Sequence, residues 1–307
     1  MVVAAYVTLL TKASYLAGTL VVEDSLKAVG SKYPLVVMIP PTLPEDVKSV
    51  LRKRNIQVVN IDYLEPEENA HTLAAHDERF KDTWTKLRAF ELTAYERVVL
   101  MDSDMIVLRN MDELLEMDLP KDWIAAAHAC ACNPRKLAHY PADWIPANCA
   151  HTAVTGPTDP PSAITTDSPR PYSLLNSGLV VINPSTELAD AIKRYLYTSP
   201  EVATFSFPDQ DLLAAFFKGK WKPLHWYYNA LKTLRVIHKQ LWRDEEIRCL
   251  HYILHDKPWH SRPGPPGTGD DYEEMSRWWW EKYEKVAAEL KESDVEGWRL
   301  VNTSVAH

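Results

Sequence analysis

This chain predicts an α/β fold with a mostly parallel central sheet, on three observations. Strand-like and helix-like segments alternate at a spacing of roughly 25–30 residues, the mark of βαβ units. Several apolar runs are continuous rather than alternating, as in strands covered on both faces: residues 34–40 (PLVVMIP), 98–101 and 179–182. An acidic pair, Asp102 and Asp104, closes one of these runs, where open parallel sheets bind their ligands.

Residues 2–10 are β-rich and form the first strand, and residues 15–29 follow with helical spacing (Leu16, Leu20, Val21, Leu26, Val29). The proline-bounded run 34–40 is the second strand. Residues 44–54 open with Pro-Glu-Asp, which suits a helix N-terminus: the proline lacks only a donor that would go unused, and the acids oppose the helix dipole. A third strand is expected at 56–61, a helix at 84–93 and a fourth strand at 97–101. Residues 133–173 break the pattern: they hold eight prolines and little periodicity, and predict an irregular flap or insertion near the active site. Order returns with a strand at 179–182 and helices at 187–197 and 210–217. A C-terminal helix at 272–291, within a 270–307 tail, carries Trp278-Trp279-Trp280; three consecutive side chains cannot share one helix face, so two should pack and one should lie outside.

The 307 residues fit a single large α/β domain. Hydrophobic residues make up 46% and charged residues 25%, ordinary for a globular protein, and a net charge of −8 argues against a nucleic-acid surface. There is no run of ~18 apolar residues and hence no transmembrane segment. The apolar N-terminus lacks a basic flank and reads as a core strand rather than a signal peptide, so a cytoplasmic enzyme is the expectation. Of the four cysteines, Cys130, Cys132, Cys149 and Cys249, none stands in a usual zinc spacing, and ordinary buried or half-exposed thiols are expected.

Asp102-Ser103-Asp104 carries the chemistry. Two carboxylates at the end of a buried strand are costly unless something positive sits on them. Hard oxygen ligands suit Mg²⁺ or Mn²⁺, ions that usually take phosphate oxygens as further ligands, so the expectation is a metal–diphosphate site.

Six segments in order resemble family 8 glycosyltransferases, the group that includes glycogenin and galactinol synthase. They are AYVTLLTKASYLAGTLVVEDSLK, WTKLRAFEL, VVLMDSDMIVLRNMDELL, LLNSGLVVINPS, FPDQDLLAAFF and LHYILHDKPW. The resemblance implies a GT-A-type, Rossmann-like domain and a retaining hexosyl transfer from UDP-glucose or UDP-galactose to a sugar or polyol acceptor. A homodimer is compatible with it. It implies that Thr8, Leu9, Thr11 and Tyr15 hold uracil and ribose, Tyr15 by stacking and Thr11 by hydrogen bonding. Lys86 would face the donor. Asp102, Ser103 and Asp104 form the metal motif, with His251 as third ligand; an imidazole beside two carboxylates favours Mn²⁺ over Mg²⁺. Lys257, braced by Pro258-Trp259, would reach the β-phosphate and stabilise it as a leaving group. Asn176, Ser177 and Gly178 would bring an amide and a close-lying backbone to the sugar, and Asp209 and Gln210 would lie beneath the anomeric carbon. Asp209, Gln210 and Lys86 are thus the expected catalytic set.

Three features depart from the pattern, the first being that a donor-binding arginine of glycogenin has no aligned equivalent, Arg79 lying nearby but shifted. Many members carry glycine three residues after the histidine, where this chain has Leu254, so a different loop shape is expected. After Tyr228-Asn229 comes ALKTLRVIHKQLWRDEEIR, without a tyrosine, which argues against self-glucosylation at that place. Within the family the alternatives to a general hexosyltransferase are galactosyl transfer to myo-inositol and a glycogenin-like glucosyl transfer. Outside it stand a UDP-sugar-binding protein without activity, opposed by the intact Asp102, Asp104, His251 and Lys257, and a metal-dependent hydrolase or pyrophosphorylase, opposed by the want of a glycine-rich phosphate loop.

Overall fold

The computed structural model describes residues 3–67, 71, 75–138 and 140–307, with the backbone alone at 75–81. Among the described residues ten strands form two sheets: β1 Ala4–Leu9, β2 Leu35–Ile39, β3 Gln57–Asn60, β4 Arg97–Met101, β5 Met105–Val107, β6 Ile124–His128, β7 Leu175–Ile182, β8 Trp221–Leu224, β9 Ala230–Leu231 and β10 Cys249–His251. Seven lie in the order β3-β2-β1-β4-β7-β6-β8, and three in the order β5-β10-β9. In the large sheet only β7 runs against its neighbours, β4 and β6; every other pairing is parallel. The expected mostly parallel α/β architecture is therefore present.

The helices are α1 Leu16–Ala28, α2 Glu45–Lys53, α3 Glu113–Glu116, α4 Thr186–Thr198, α5 Pro208–Phe216, α6 Leu234–Ile237, α7 Asp271–Ser293 and α8 Val295–Asn302. Strand alternation sends Ala4, Tyr6 and Val37 into one hydrophobic core with α1 and α7, and Ala5, Val7 and Val36 into a second on the opposite face. Both faces of the central strands are thus dry, which is why they read as unbroken apolar runs. Most of the segment expected as a helix at 84–93 forms the end of successive 3-10 turns over Ala75–Glu91, and residues 92–93 lie past them. Its large buried apolar side chains, Trp84, Leu87 and Phe90, stand three residues apart, a spacing that three residues per turn accommodates, with Thr85 and Ala89 buried beside them. In α7, Trp279 and Trp280 are buried and Trp278 is half-buried with the Arg235 guanidinium 5.6 Å from its ring centre, so two pack and one is capped by a cation. Residues 133–173 hold only short 3-10 turns, as their prolines dictate.

The topology fixes where the site sits. From β1 the chain lays β2 and β3 to one side and β4 to the other, so the carboxyl ends of β1 and β4 flank a switch point. Beyond β4 the chain leaves the large sheet and enters the small one as β5, and Asp102-Ser103-Asp104 is the bridge. In the small sheet His251 pairs with Met105, which brings a distant histidine beside Asp104.

Candidate active site

A cavity of about 410 Å³ opens at this junction. Its walls include Leu9, Thr11 and Tyr15 from the first strand and turn, Lys86, the Asp102–Asp104 bridge, Asn176–Gly178 from β7, Asp209 and Gln210 from α5, and His251 and Lys257. Thirteen of the fourteen donor-site residues expected from sequence line this one space, together with His251.

The exception is Thr8, whose side chain is fully buried and does not line the cavity. Neighbouring strand residues point to opposite faces, so with Leu9 on the cavity side Thr8 turns into the core. Thr11 reaches the cavity, and its hydroxyl donates to Asp82 Oδ2 at 3.0 Å. Tyr15 meets Trp259 edge-on with ring centres 5.3 Å apart, so the Pro258-Trp259 element braces the expected base-binding wall as well as Lys257.

The acidic pair is divided with care. Asp102 Oδ1 takes Lys86 Nζ at 2.6 Å and leaves Oδ2 3.7 Å from His251 Nε2. Asp104 Oδ2 takes Lys257 and leaves Oδ1 3.3 Å from the same nitrogen. The three facing atoms lie within 4.8 Å of one another. Adjacent ligands of an octahedral ion stand about 3 Å apart, so the donor set fits a divalent cation with little adjustment. The other nitrogen of His251 supports this: Nδ1 lies 2.9 Å from Asn229 Oδ1, an acceptor, which places the proton on Nδ1 and a lone pair on Nε2.

The hydrogen bonds continue towards Gln210. Asn229 Nδ2 donates to Asn176 Oδ1 at 2.8 Å, the Gly178 N–H donates to the same oxygen at 3.1 Å, and Asn176 Nδ2 donates to Gln210 Oε1 at 3.2 Å. One chain of amides thus joins the imidazole to Gln210. Lys86 closes the other side, 3.2 Å from Asp209 Oδ2.

Burial opposes the charge on Lys86, but Asp102 and then Asp209 override it and hold the ammonium above its ordinary range. Burial raises Asp102, with Lys86 pulling the other way and Asp104 adding to the rise. Asp104 goes down: burial pushes upward, but Lys257 and then His251 outweigh it.

Two glycines make this packing possible. A methyl group on Gly178 would stand 2.6 Å from His251 Nδ1 and nearer still to Cε1. A methyl on Gly18 of α1 would collide with the Ser103 carbonyl, so only glycine lets that helix seat against the acidic bridge. Leu254 has φ +77°, a left-handed conformation that glycine would favour, at a cost of about 1 kcal/mol. Sequence reasoning missed Asn229 and Gly18 as site residues. Asn229 adjoins a noticed Tyr-Asn element, but only the fold shows that its amide meets His251.

The sequence profile described as glycosyl transferase family 8 matches residues 6–262. Galactinol synthase 7 of Arabidopsis thaliana is 26% identical over 98% of this chain and 89% of its own length. Galactinol synthase 1 of Ajuga reptans is 28% identical over 94% and 84%. Protein R707 of Acanthamoeba polyphaga mimivirus is 26% identical over 95% and 97%. Among solved structures, the galactosyltransferase LgtC, in complex with donor and acceptor sugar analogues, superposes with a TM-score of 0.63 at 16% identity, covering 92% of this chain and 95% of its own. This shared architecture agrees with the cavity at the switch point, and no described helix is long and apolar enough to cross a membrane. With the family profile spanning residues 6–262, the chain belongs to glycosyltransferase family 8 and is a glycosyltransferase enzyme acting on a nucleotide-sugar donor.

Proposed function

We propose that this enzyme transfers a hexose from UDP-glucose or UDP-galactose to a small hydroxyl acceptor, with retention of anomeric configuration and with Mn²⁺ as the preferred ion. The observation that carries this reading is the convergence of Asp102, Asp104 and His251 on one point, with a lysine held on either side. The ion would rest on those three ligands, where it would neutralise diphosphate charge as the sugar–phosphate bond breaks. Lys257, hinged on Pro258, donates to the departing β-phosphate. Tyr15 and Thr11 hold the nucleoside. Asp209 and Gln210 occupy the sugar side: the Gln210 amide, oriented by Asn176, stabilises an oxocarbenium-like centre, while the Asp209 carboxylate, paired with Lys86, orients sugar hydroxyls or serves as nucleophile.

Beyond the donor, Tyr140, Trp144 and Phe207 form an aromatic wall, with Trp144 and Phe207 stacked at 5.6 Å between centres. Such a wall suits the apolar face of a ring-shaped polyol. Galactosyl transfer to myo-inositol is the specific form favoured here, because relatives named galactinol synthases align along nearly the whole chain.

The test is UDP release measured across UDP-glucose and UDP-galactose, with and without Mn²⁺, against an acceptor panel including myo-inositol. Asp102→Asn and His251→Ala should each abolish Mn²⁺-dependent release. Full activity in either variant refutes the metal assignment, and activity on glucose donors alone refutes the galactosyl form.

A further inference from the structure

A second ligand cluster lies outside the donor site. Cys130 and Cys132 follow β6, Cys149 stands between two 3-10 turns of the irregular segment, and His238 ends α6. Local spacing hid the set, because its fourth member comes from a distant element and its third lies across a proline-rich loop. Folded, the three sulfurs and the imidazole nitrogen lie within 4.8 Å of one another. His238 Nε2 is 3.7 Å from Cys130 Sγ, 3.2 Å from Cys132 Sγ and 3.7 Å from Cys149 Sγ. A tetrahedral zinc ion, with Zn–S of about 2.3 Å and Zn–N of about 2.0 Å, sets S···N separations near 3.5 Å. The observed distances straddle that value, so the four atoms are spaced to converge on one ion.

The geometry points to a Cys₃His zinc site that is structural and separate from the Asp102–Asp104–His251 centre. Three thiolates and an imidazole select a soft or borderline ion such as Zn²⁺, whereas two carboxylates and an imidazole take a harder one, so the two sites would not exchange metals. Four protein ligands leave no open position, as in structural zinc sites. Cys132, Cys149 and His238 are each at most 6% exposed, so the ion would be shielded from water. Its place gives it a purpose. Cys130 lines the cavity, as do Asn133, Arg135 and Trp144 from the irregular segment and Thr233 from the turn before α6. An ion here staples the irregular segment to the end of α6, and so fixes one wall of the acceptor space.

The experiment is metal analysis of the purified chain after exhaustive dialysis against EDTA, followed by mercurial titration, and the absorption spectrum of protein produced with Co²⁺. About one zinc per chain is expected, resistant to EDTA and released as the mercurial titrates thiols. The Co²⁺ form should show a thiolate-to-metal charge-transfer band and the intense visible bands of tetrahedral geometry. Cys149→Ser and His238→Ala should weaken or lose both signals, while His251→Ala keeps them. If a variant fails to fold, the wild-type Co²⁺ spectrum decides alone. Folded wild type with no zinc and no charge-transfer band overturns the proposal, as does a disulfide among Cys130, Cys132 and Cys149, or full zinc in Cys149→Ser.

Discussion

Gly178→Ala is the sharpest perturbation available, because the added atom has one place to go. Its methyl would stand 2.6 Å from His251 Nδ1, and closer to Cε1, where ordinary contact begins near 3.4 Å. The ring must therefore retreat by about 1 Å, and it is buried, with its Nδ1–H already spent on Asn229. Overpacking of this kind costs about 1–3 kcal/mol of stability. The functional loss should be larger: displaced by that much, Nε2 no longer faces Asp102 Oδ2 and Asp104 Oδ1, and misplacement of about 1 Å costs on the order of 100-fold in turnover. The assay is Mn²⁺ dependence of UDP release, beside chemical denaturation. Mn²⁺ affinity should fall by about 10–100-fold, as for loss of a group that orients a metal ligand. The double variant Gly178→Ala/His251→Ala supplies the control: with the ring gone the methyl still meets Asn176 Oδ1 at 2.9 Å, so the stability penalty of the glycine change should shrink without vanishing. Wild-type Mn²⁺ affinity in Gly178→Ala, or a penalty undiminished without His251, would refute the reasoning.

Asn229→Ala removes the acceptor that fixes the His251 tautomer; Mn²⁺ affinity should drop by about 10–100-fold, and Asn229→Asp, which still accepts, should recover part of it in the same titration. Leu254→Gly removes a left-handed cost of about 1 kcal/mol and adds a chain-entropy cost of about the same size, so its denaturation midpoint should hardly move. Leu254→Pro cannot reach φ +77° and should lose UDP binding by calorimetry; retained binding would show that the loop conformation is dispensable. Asp211 is raised from its ordinary 3.8 to about 6, first by burial, with the Phe207 and Ser206 N–H groups opposing. A carboxyl raised by folding favours the protonated native state, so its contribution is full below 3.8 and fades as pH climbs through 6. Asp211→Asn should therefore gain on wild type by about 1–2 kcal/mol between pH 4 and pH 7, discounted because the side chain is only half-buried. Denaturation curves that stay parallel across that range would contradict this.

Much of this could be read from sequence because the physics was local. Strands β2 and β7 announced themselves as apolar runs covered on both sides, α2 by its Pro-Glu-Asp start, and the acidic bridge by the cost of burying two carboxylates. What stayed hidden depended on distant packing. Nothing in residues 84–92 distinguishes a 3-10 run from an α-helix except that Trp84, Leu87 and Phe90 recur at three, and that spacing also suits one helical face. Strand parity decides that Thr8 turns inward while Leu9 meets the cavity, and parity requires knowing which face of β1 carries the site. The small sheet β5-β10-β9 was not foreseen, since three- and two-residue strands carry no periodicity. Yet it is this sheet that seats His251 beside Asp104. The cysteine cluster is the same case: its members are unremarkable apart and meaningful only when α6 delivers His238.

The two lysines explain how so acidic a pocket holds its shape before a donor arrives. Asp102, Asp104 and Asp209 face Lys86 and Lys257, so three carboxylates meet two ammoniums and one negative charge is left over. Across the whole cavity Lys12 and Arg135 balance that charge and Asp82, so the repulsion of a free diphosphate is local to the aspartates. A divalent cation on the facing oxygens would turn this local charge to one net positive and so favour a nucleoside diphosphate. Donor affinity should thus be bound to the ion far more tightly than in a pocket lined by basic residues alone. The same lysines each engage one oxygen of an aspartate and leave the other turned towards His251, so the ligand geometry is already set when the ion enters. On the function proposed above, Lys257 would also meet the leaving phosphate, so donor entry would trade one of its anionic partners for another. The side chain that orients Asp104 would then be the one that steadies the charge released when the sugar departs.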